Sequence, residues 1–171
     1  DPDDPRCVYL NIESECKAVQ RMAAQLTQVD PYKEFSFRGL SVVDNDVAWA
    51  SGNKGTILIT SNGGLNWEKL TVANFSNRDF RSIYAFDKNN AIIASAGDSG
   101  IVLKTSDAGK TWRIVYRAKD NSIFFDGIDF WNERHGIIYG DPIAKKLFLL
   151  ETEDGGATWK EIEDNQRPLF E

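Results

Sequence analysis

The sequence predicts an all-β chain: a partial β-propeller of three four-stranded antiparallel blades, preceded by a short helix. One eight-residue signature recurs three times and carries most of that prediction. The copies are Thr60-Ser61-Asn62-Gly63-Gly64-Leu65-Asn66-Trp67, Thr105-Ser106-Asp107-Ala108-Gly109-Lys110-Thr111-Trp112 and Thr152-Glu153-Asp154-Gly155-Gly156-Ala157-Thr158-Trp159. Their tryptophans lie 45 and 47 residues apart. A near-constant period of this size marks a repeat architecture. The second observation is a run of turn signals at roughly 8–12-residue spacing between short apolar segments, which is the pattern of strands.

The similarity extends along each unit. The units open at Phe37-Arg38-Gly39-Leu40, Phe80-Arg81-Ser82-Ile83 and Phe125-Asp126-Gly127-Ile128. A turn follows at Asp44-Asn45, Asp87-Lys88-Asn89 and Asn132-Glu133. A second apolar run begins at Val47, Ala91 and Gly136. A glycine-bearing turn comes next, at Gly52 to Gly55, at Gly97 to Gly100 and from Gly140. The third run leads into the signature, and the fourth starts at each Trp. Four strands per unit in radial repetition are propeller blades. The predicted blades cover 35–70, 80–116 and 124–162. Ile101-Val102-Leu103 is apolar on both faces, as a strand covered on both sides requires.

The signature itself reads as a tight hairpin. Asn62, Asp107 and Asp154 can each accept bonds from backbone N–H groups further along the turn. Gly64, Gly109 and Gly156 suit a backbone position with φ > 0. The hydroxyls before the turn, at Ser61 and Ser106, can add a local bond. Trp67, Trp112 and Trp159 are large enough to pin the hairpin to its neighbour, and they are expected at equivalent buried positions. These residues are structural in this reading.

Residues 1–34 do not fit the repeat and form a separate N-terminal extension. Val19, Met22, Ala23 and Leu26 recur at helical spacing, which predicts a short amphipathic helix over 15–28. It acts as a cap on the first blade or as a partner-docking helix. Cys7 and Cys16 leave a disulfide and two free thiols both open. The net charge is −6, from 20 basic and 26 acidic residues. That balance argues against a nucleic-acid partner, which would require a basic stripe. No apolar run approaches the roughly 18 residues of a membrane span.

Catalytic chemistry is poorly represented. Gly97-Asp98-Ser99-Gly100 resembles a protease nucleophile loop, but it aligns with the ordinary turn Gly52-Asn53-Lys54-Gly55. The single histidine, His135, falls in a blade turn. A triad is recognised by geometry and roles, not by four letters. Asp126 and Asp129 form a carboxylate pair of a kind glycosidases use, though acidic pairs on an acidic protein are commonly solvated surface. One His and two Cys outside the repeats exclude the common zinc sets, and no dinucleotide motif is present. No catalytic residue, metal site or cofactor is expected.

One constellation remains. Arg38, Arg81 and Asp126 occupy the same column at the start of each unit's first strand, which lines the channel in a propeller. Two arginines there offer bidentate donors for carboxylate or phosphate groups. The competing reading is that each Arg pairs with a neighbouring acid, such as Asp79 or Asp126, and staples the blades. Ser41, Tyr84, Asp129 and Trp131 are expected to line the same region.

The signature resembles the Asp-box hairpin, the bacterial neuraminidase repeat. The stretch 35–165 resembles the propeller of the photosystem II stability/assembly factor family, through relatives in non-photosynthetic bacteria. The resemblance implies that the box lies on the blade periphery and marks the fold. It implies a non-enzymatic scaffold or assembly factor that binds a protein partner, in the periplasm or secreted. The alternative is a glycan-binding or glycan-hydrolysing protein of the sialidase-like group. The Arg-Ile-Pro segment of such enzymes is absent from this sequence.

Three blades do not close a ring, because a propeller takes about 4–8. An uncovered blade face leaves several hundred Å² of apolar surface in water, worth on the order of 10 kcal/mol at about 25 cal/mol per Å². The open faces are therefore expected to be covered by the remainder of a longer propeller or by a second chain.

Overall fold

Alternation of apolar side chains along short segments produces twelve strands in the computed structural model. It describes residues 34–97, 100–120 and 123–169. The first blade comprises β1 (Phe37–Val42), β2 (Val47–Gly52), β3 (Thr56–Ser61) and β4 (Glu68–Thr71). The second comprises β5 (Asp79–Ala85), β6 (Ala91–Ala96), β7 (Ile101–Thr105) and β8 (Arg113–Arg117). The third comprises β9 (Phe125–Phe130), β10 (Gly136–Ile143), β11 (Lys146–Thr152) and β12 (Lys160–Glu161). Each blade is an antiparallel sheet whose strands lie in chain order. This is the predicted partial propeller. The helix expected over 15–28, the cysteine pair Cys7 and Cys16, and Asp98-Ser99 lie outside the described residues.

Two apolar layers hold the blades together. Val47, Trp49, Ile57 and Ile59 of the first blade pack with Ile83, Ile93, Ile101 and Leu103 of the second. Ile92, Ala94 and Val102 of the second blade pack with Phe125, Ile138, Phe148 and Leu150 of the third. Odd and even positions of β6 therefore serve different neighbours, which is the period-2 geometry of a strand. All six β6 residues are buried. The first strands also touch directly. Ser41 Oγ accepts the Ala85 N–H and Ser82 Oγ accepts the Ile128 N–H, both at 2.9 Å.

The three signatures close in the same way. The hydroxyls of Thr60, Thr105 and Thr152 accept the N–H of Gly64, Gly109 and Gly156 at 2.9–3.0 Å. They donate to Asn62, Asp107 and Asp154 at 2.8–3.0 Å. The acceptor side chain then takes the N–H of Asn66, Thr111 or Thr158. The two aspartates also accept the Thr111 and Thr158 hydroxyls at 2.6 Å. Ser61 and Ser106 do not supply the closing hydroxyl: both are exposed. Adjacent strand residues point to opposite sides, so the buried threonine one position earlier does the work.

The second and third hairpins also lean on the preceding blade. Gly109 has φ +77°, and a Cβ there would come within 2.6 Å of Leu70 Cδ1. Gly156 has the same φ, and its Cβ would lie 2.2 Å from Ile92 Cδ1. The tryptophans are less uniform than expected. Trp159 is buried, whereas Trp67 and Trp112 are only partly so. Trp112 stands edge-on to Trp49 of the first blade at 6.5 Å, and Trp159 meets Phe130 of its own blade at 5.9 Å. Each signature joins the third and fourth strands of its blade, and its indole is covered only as far as the local neighbours reach.

The turns between first and second strands repeat a second device. Asp44, Asp87 and Asn132 each accept two backbone N–H groups, two and three residues on, at 2.6–2.9 Å. These turns are tied to the box of the same blade through Gly63 N–H to Asp46 O, Ala108 N–H to Asn89 O and Gly155 N–H to Arg134 O. Among the described residues no helix is long and apolar enough to cross a membrane.

Burial raises the Asp154 carboxyl, but hydrogen bonds from Thr158, Thr152 and Ala157 outweigh it and hold its pKa at about 2. A depressed folded-state value gives stability that is complete above the ordinary carboxylate pKa near ~4 and is lost as pH falls through about 2. Asp154→Asn keeps one acceptor oxygen, as Asn62 does naturally. The variant is expected to fold at neutral pH and to show a shallower loss of melting temperature across that acid window than the parent. An unchanged acid profile would show that the carboxylate bonds contribute nothing.

Candidate functional site

The pairing register of the first strands shows how the column is presented. In β1, Phe37 pairs with Gly52 and Gly39 with Ser51, so Arg38 is an extra residue. In β5, Phe80 pairs with Ser95 and Ser82 with Ala94, so Arg81 is extra. In β9, Phe125 pairs with Gly140 and Gly127 with Tyr139, so Asp126 is extra. All three column residues thus sit on β-bulges, which bend the strand and re-aim a side chain. The position after the bulge is tight. A Cβ at Gly39 would lie 2.3 Å from Ser51 Oγ, and one at Gly127 would lie 2.1 Å from the Tyr139 ring. In the second blade this position is Ser82, whose hydroxyl crosses to β9.

The column is a chain of ion pairs between blades. Arg38 Nε lies 3.2 Å from Asp79 Oδ2, and Arg81 Nε lies 3.5 Å from Asp126 Oδ1. The Arg81 guanidinium also sits 5.0 Å from the centroid of the Phe124 ring. The other oxygen of Asp79 is buried without a hydrogen-bond partner. Burial, and then the nearby Asp141, raise the Asp126 carboxyl; Arg81 opposes both. The stapling geometry anticipated for Asp79 and Asp126 is therefore present. The arginine side chains are nonetheless 46% and 35% exposed. Pairs this open to solvent contribute about 0–1 kcal/mol. A guanidinium has five donors in a fixed fork, so one contact through Nε leaves capacity for an incoming carboxylate.

The residues expected to line the same region as the column do not all do so. Asp126 and Trp131 are five residues apart along β9 and its turn, roughly 16 Å at the rise of a strand. Tyr84 packs at the same far end, 4.7 Å from Phe130 and 5.0 Å from Phe86. Burial, then Asp129, raise the Tyr84 hydroxyl. Ser41 is spent on the Ala85 N–H. Tyr84 and Trp131 instead line a cleft with residues of the first-to-second-strand turns. His135 contributes its N–H to the Asn132 turn and is exposed. Among the described residues no group of three or more His, Cys, Asp or Glu is arranged to hold a metal ion.

Comparisons with known proteins agree with this architecture. The family model described as photosynthesis system II assembly factor YCF48 matches residues 19–119, more than half of the chain. Among solved structures, YCF48 bound to D1 peptide is 23% identical with a TM-score of 0.59, covering 74% of this chain and 39% of that one. YCF48 from Cyanidioschyzon merolae is 20% identical with a TM-score of 0.57, covering 75% and 40%. A GH74 enzyme from Niastella koreensis is 14% identical with a TM-score of 0.52, covering 73% and 17%. At these identities the likeness is one of fold. The chain spans about two fifths of the length of the two YCF48 structures. No curated protein matches it.

A double-mutant cycle measures how far the column is structural. Arg81→Ala combined with Asp126→Ala should give a coupling energy of no more than about 1 kcal/mol in chemical denaturation. A coupling of several kcal/mol would make the pair a staple with nothing to spare for a ligand.

Proposed function

The chain belongs to the photosynthesis system II assembly factor YCF48 family, and from that premise we propose that it is a non-enzymatic protein-interaction module whose arginine column receives carboxylate groups of a peptide partner. The observation that carries this reading is the bulge repeated in all three blades. It sets Arg38 and Arg81 at equivalent, half-exposed positions, each held by an ion pair weak enough to exchange. A bidentate carboxylate satisfies the guanidinium fork better than a single contact through Nε does. Asp126 reverses the sign at the third position, so the acidic groups of the partner belong over the first two blades. One matched structure is YCF48 bound to D1 peptide, and a peptide ligand for this chain is the corresponding proposal.

Two further parts of the reading rest on the same premise. Leu40 and Val42 on β1 and Tyr139 on β10 are exposed; we assign the cover of the open blade faces to further blades or a second chain. The assigned compartment is the periplasm or the exterior, as the family resemblance implies. The likeness to GH74 enzymes supports the fold and supplies no catalytic residue here.

The test is binding of an acidic peptide with a free C-terminal carboxylate to the Arg38→Ala/Arg81→Ala variant. Charge-assisted hydrogen bonds contribute about 1.5–3 kcal/mol each, so the affinity should fall roughly tenfold or more with the melting temperature unchanged. A variant that melts early and binds normally would mean that the arginines only staple the blades.

A further inference from the structure

At the other end of the first strands lies a cleft of about 640 Å³. It goes beyond the reading above, because it shares no residue with the arginine column. One wall of it is aromatic: Phe130 meets Tyr84 at 4.7 Å and Phe86 at 4.8 Å, and Trp131, which also lines the cleft, is 71% exposed. Its charge is one-sided. Asp87, Glu133 and Asp154 line it against a single cation, Lys104. Burial raises the Asp87 carboxyl, but hydrogen bonds from Asn90 and Asn89 win and lower it, so this carboxylate is ionised at neutral pH.

The cleft already holds one ammonium group. Lys104 Nζ lies 5.8 Å from the centroid of Phe86 and donates to Gly155 O at 2.8 Å. Burial lowers the Lys104 pKa, while Asp154 opposes that shift. An aromatic face joined to carbonyl and carboxylate oxygens is the chemistry that stabilises a desolvated cation. Neutral sugars are a poorer match. Asp87 Oδ1 is spent on the Asn89 and Asn90 N–H groups, and Asn132 Oδ1 on those of Arg134 and His135. Sugar hydroxyls need directed acceptors, and these two are committed to turns. The negative charge of Asp87 persists even though the lone pairs of Oδ1 are used.

We propose that this cleft binds a lysine or arginine side chain from a basic segment of a protein partner, with Trp131 stacked on the cation and Glu133 facing its charge. The two ends of the first strands then read opposite signs: arginines take acidic groups at one end, and the aromatic cleft takes basic groups at the other.

A fluorescently labelled tetra-arginine peptide, titrated into the full chain and followed by anisotropy, tests this. Binding should weaken with added salt. It should fall roughly three- to five-fold in Trp131→Ala, as expected for loss of an exposed cation–π contact, and fall less in Glu133→Gln. The Arg38→Ala/Arg81→Ala variant should still bind it, which separates this site from the column. The Trp131→Ala protein should melt with the parent because its indole is mostly exposed. Failure to bind the peptide, or equal binding by Trp131→Ala, would overturn the proposal. So would binding of a neutral oligosaccharide that depends on Trp131.

Discussion

Everything else in this structure depends on the middle blade burying apolar side chains on both of its faces. Ile93, Ile101 and Leu103 leave β6 and β7 toward the first blade, while Ile92, Ala94 and Val102 leave them toward the third. A single sheet with such a composition would expose two apolar faces to water and would not persist. Stacking turns that liability into the force that orders the array, because burial of apolar area is the dominant favourable contribution to folding. The blade spacing then decides which side chains of neighbouring first strands meet. Ser41 reaches Ala85, Ser82 reaches Ile128, and each column arginine reaches an acid one blade on.

The polar parts of the repeat satisfy the backbone where the sheet ends. In each blade the box threonine and its Asn or Asp close the outer hairpin, and a second Asx side chain closes the inner turn. One N–H from the box links the two. Buried or crowded backbone groups must find partners, and this arrangement supplies them three times with the same residue types. The boxes are therefore fully occupied with structure, which leaves functional readings to the first strands and their ends.

Much of this was legible in the sequence, for identifiable reasons. The box period fixes the blade count, and the two-sided apolar run at Ile101 to Leu103 announces a covered strand. The closing hydroxyl is present in the pattern, but the sequence expectation places it one position late, at Ser61 and Ser106. Threonine stands at 60, 105 and 152, while the next position changes from Ser61 and Ser106 to Glu153, so the invariant residue of the pair was the informative one. The bulges were not legible. A bulge is a property of pairing between two strands, and nothing local at Arg38 distinguishes an extra residue from a regular one. The separation of Tyr84 and Trp131 from the column follows from strand length alone. They are expected from the sequence to line the region of the arginine column; the rise per residue sets them toward the opposite end of the first strands. The unequal burial of Trp67, Trp112 and Trp159 depends on what stands next to each blade, which a repeat alignment does not contain.

The central claim is that both faces of the middle blade carry the array, and paired truncations on β6 test it most directly. Ile92→Ala empties the layer shared with the third blade, and Ile93→Ala empties the layer shared with the first. Each should lower the unfolding free energy by about 2–5 kcal/mol, measured by chemical denaturation, with the 35–171 unit still unfolding in one transition. A loss below about 1 kcal/mol at either position, or separate unfolding of one blade, would contradict the account.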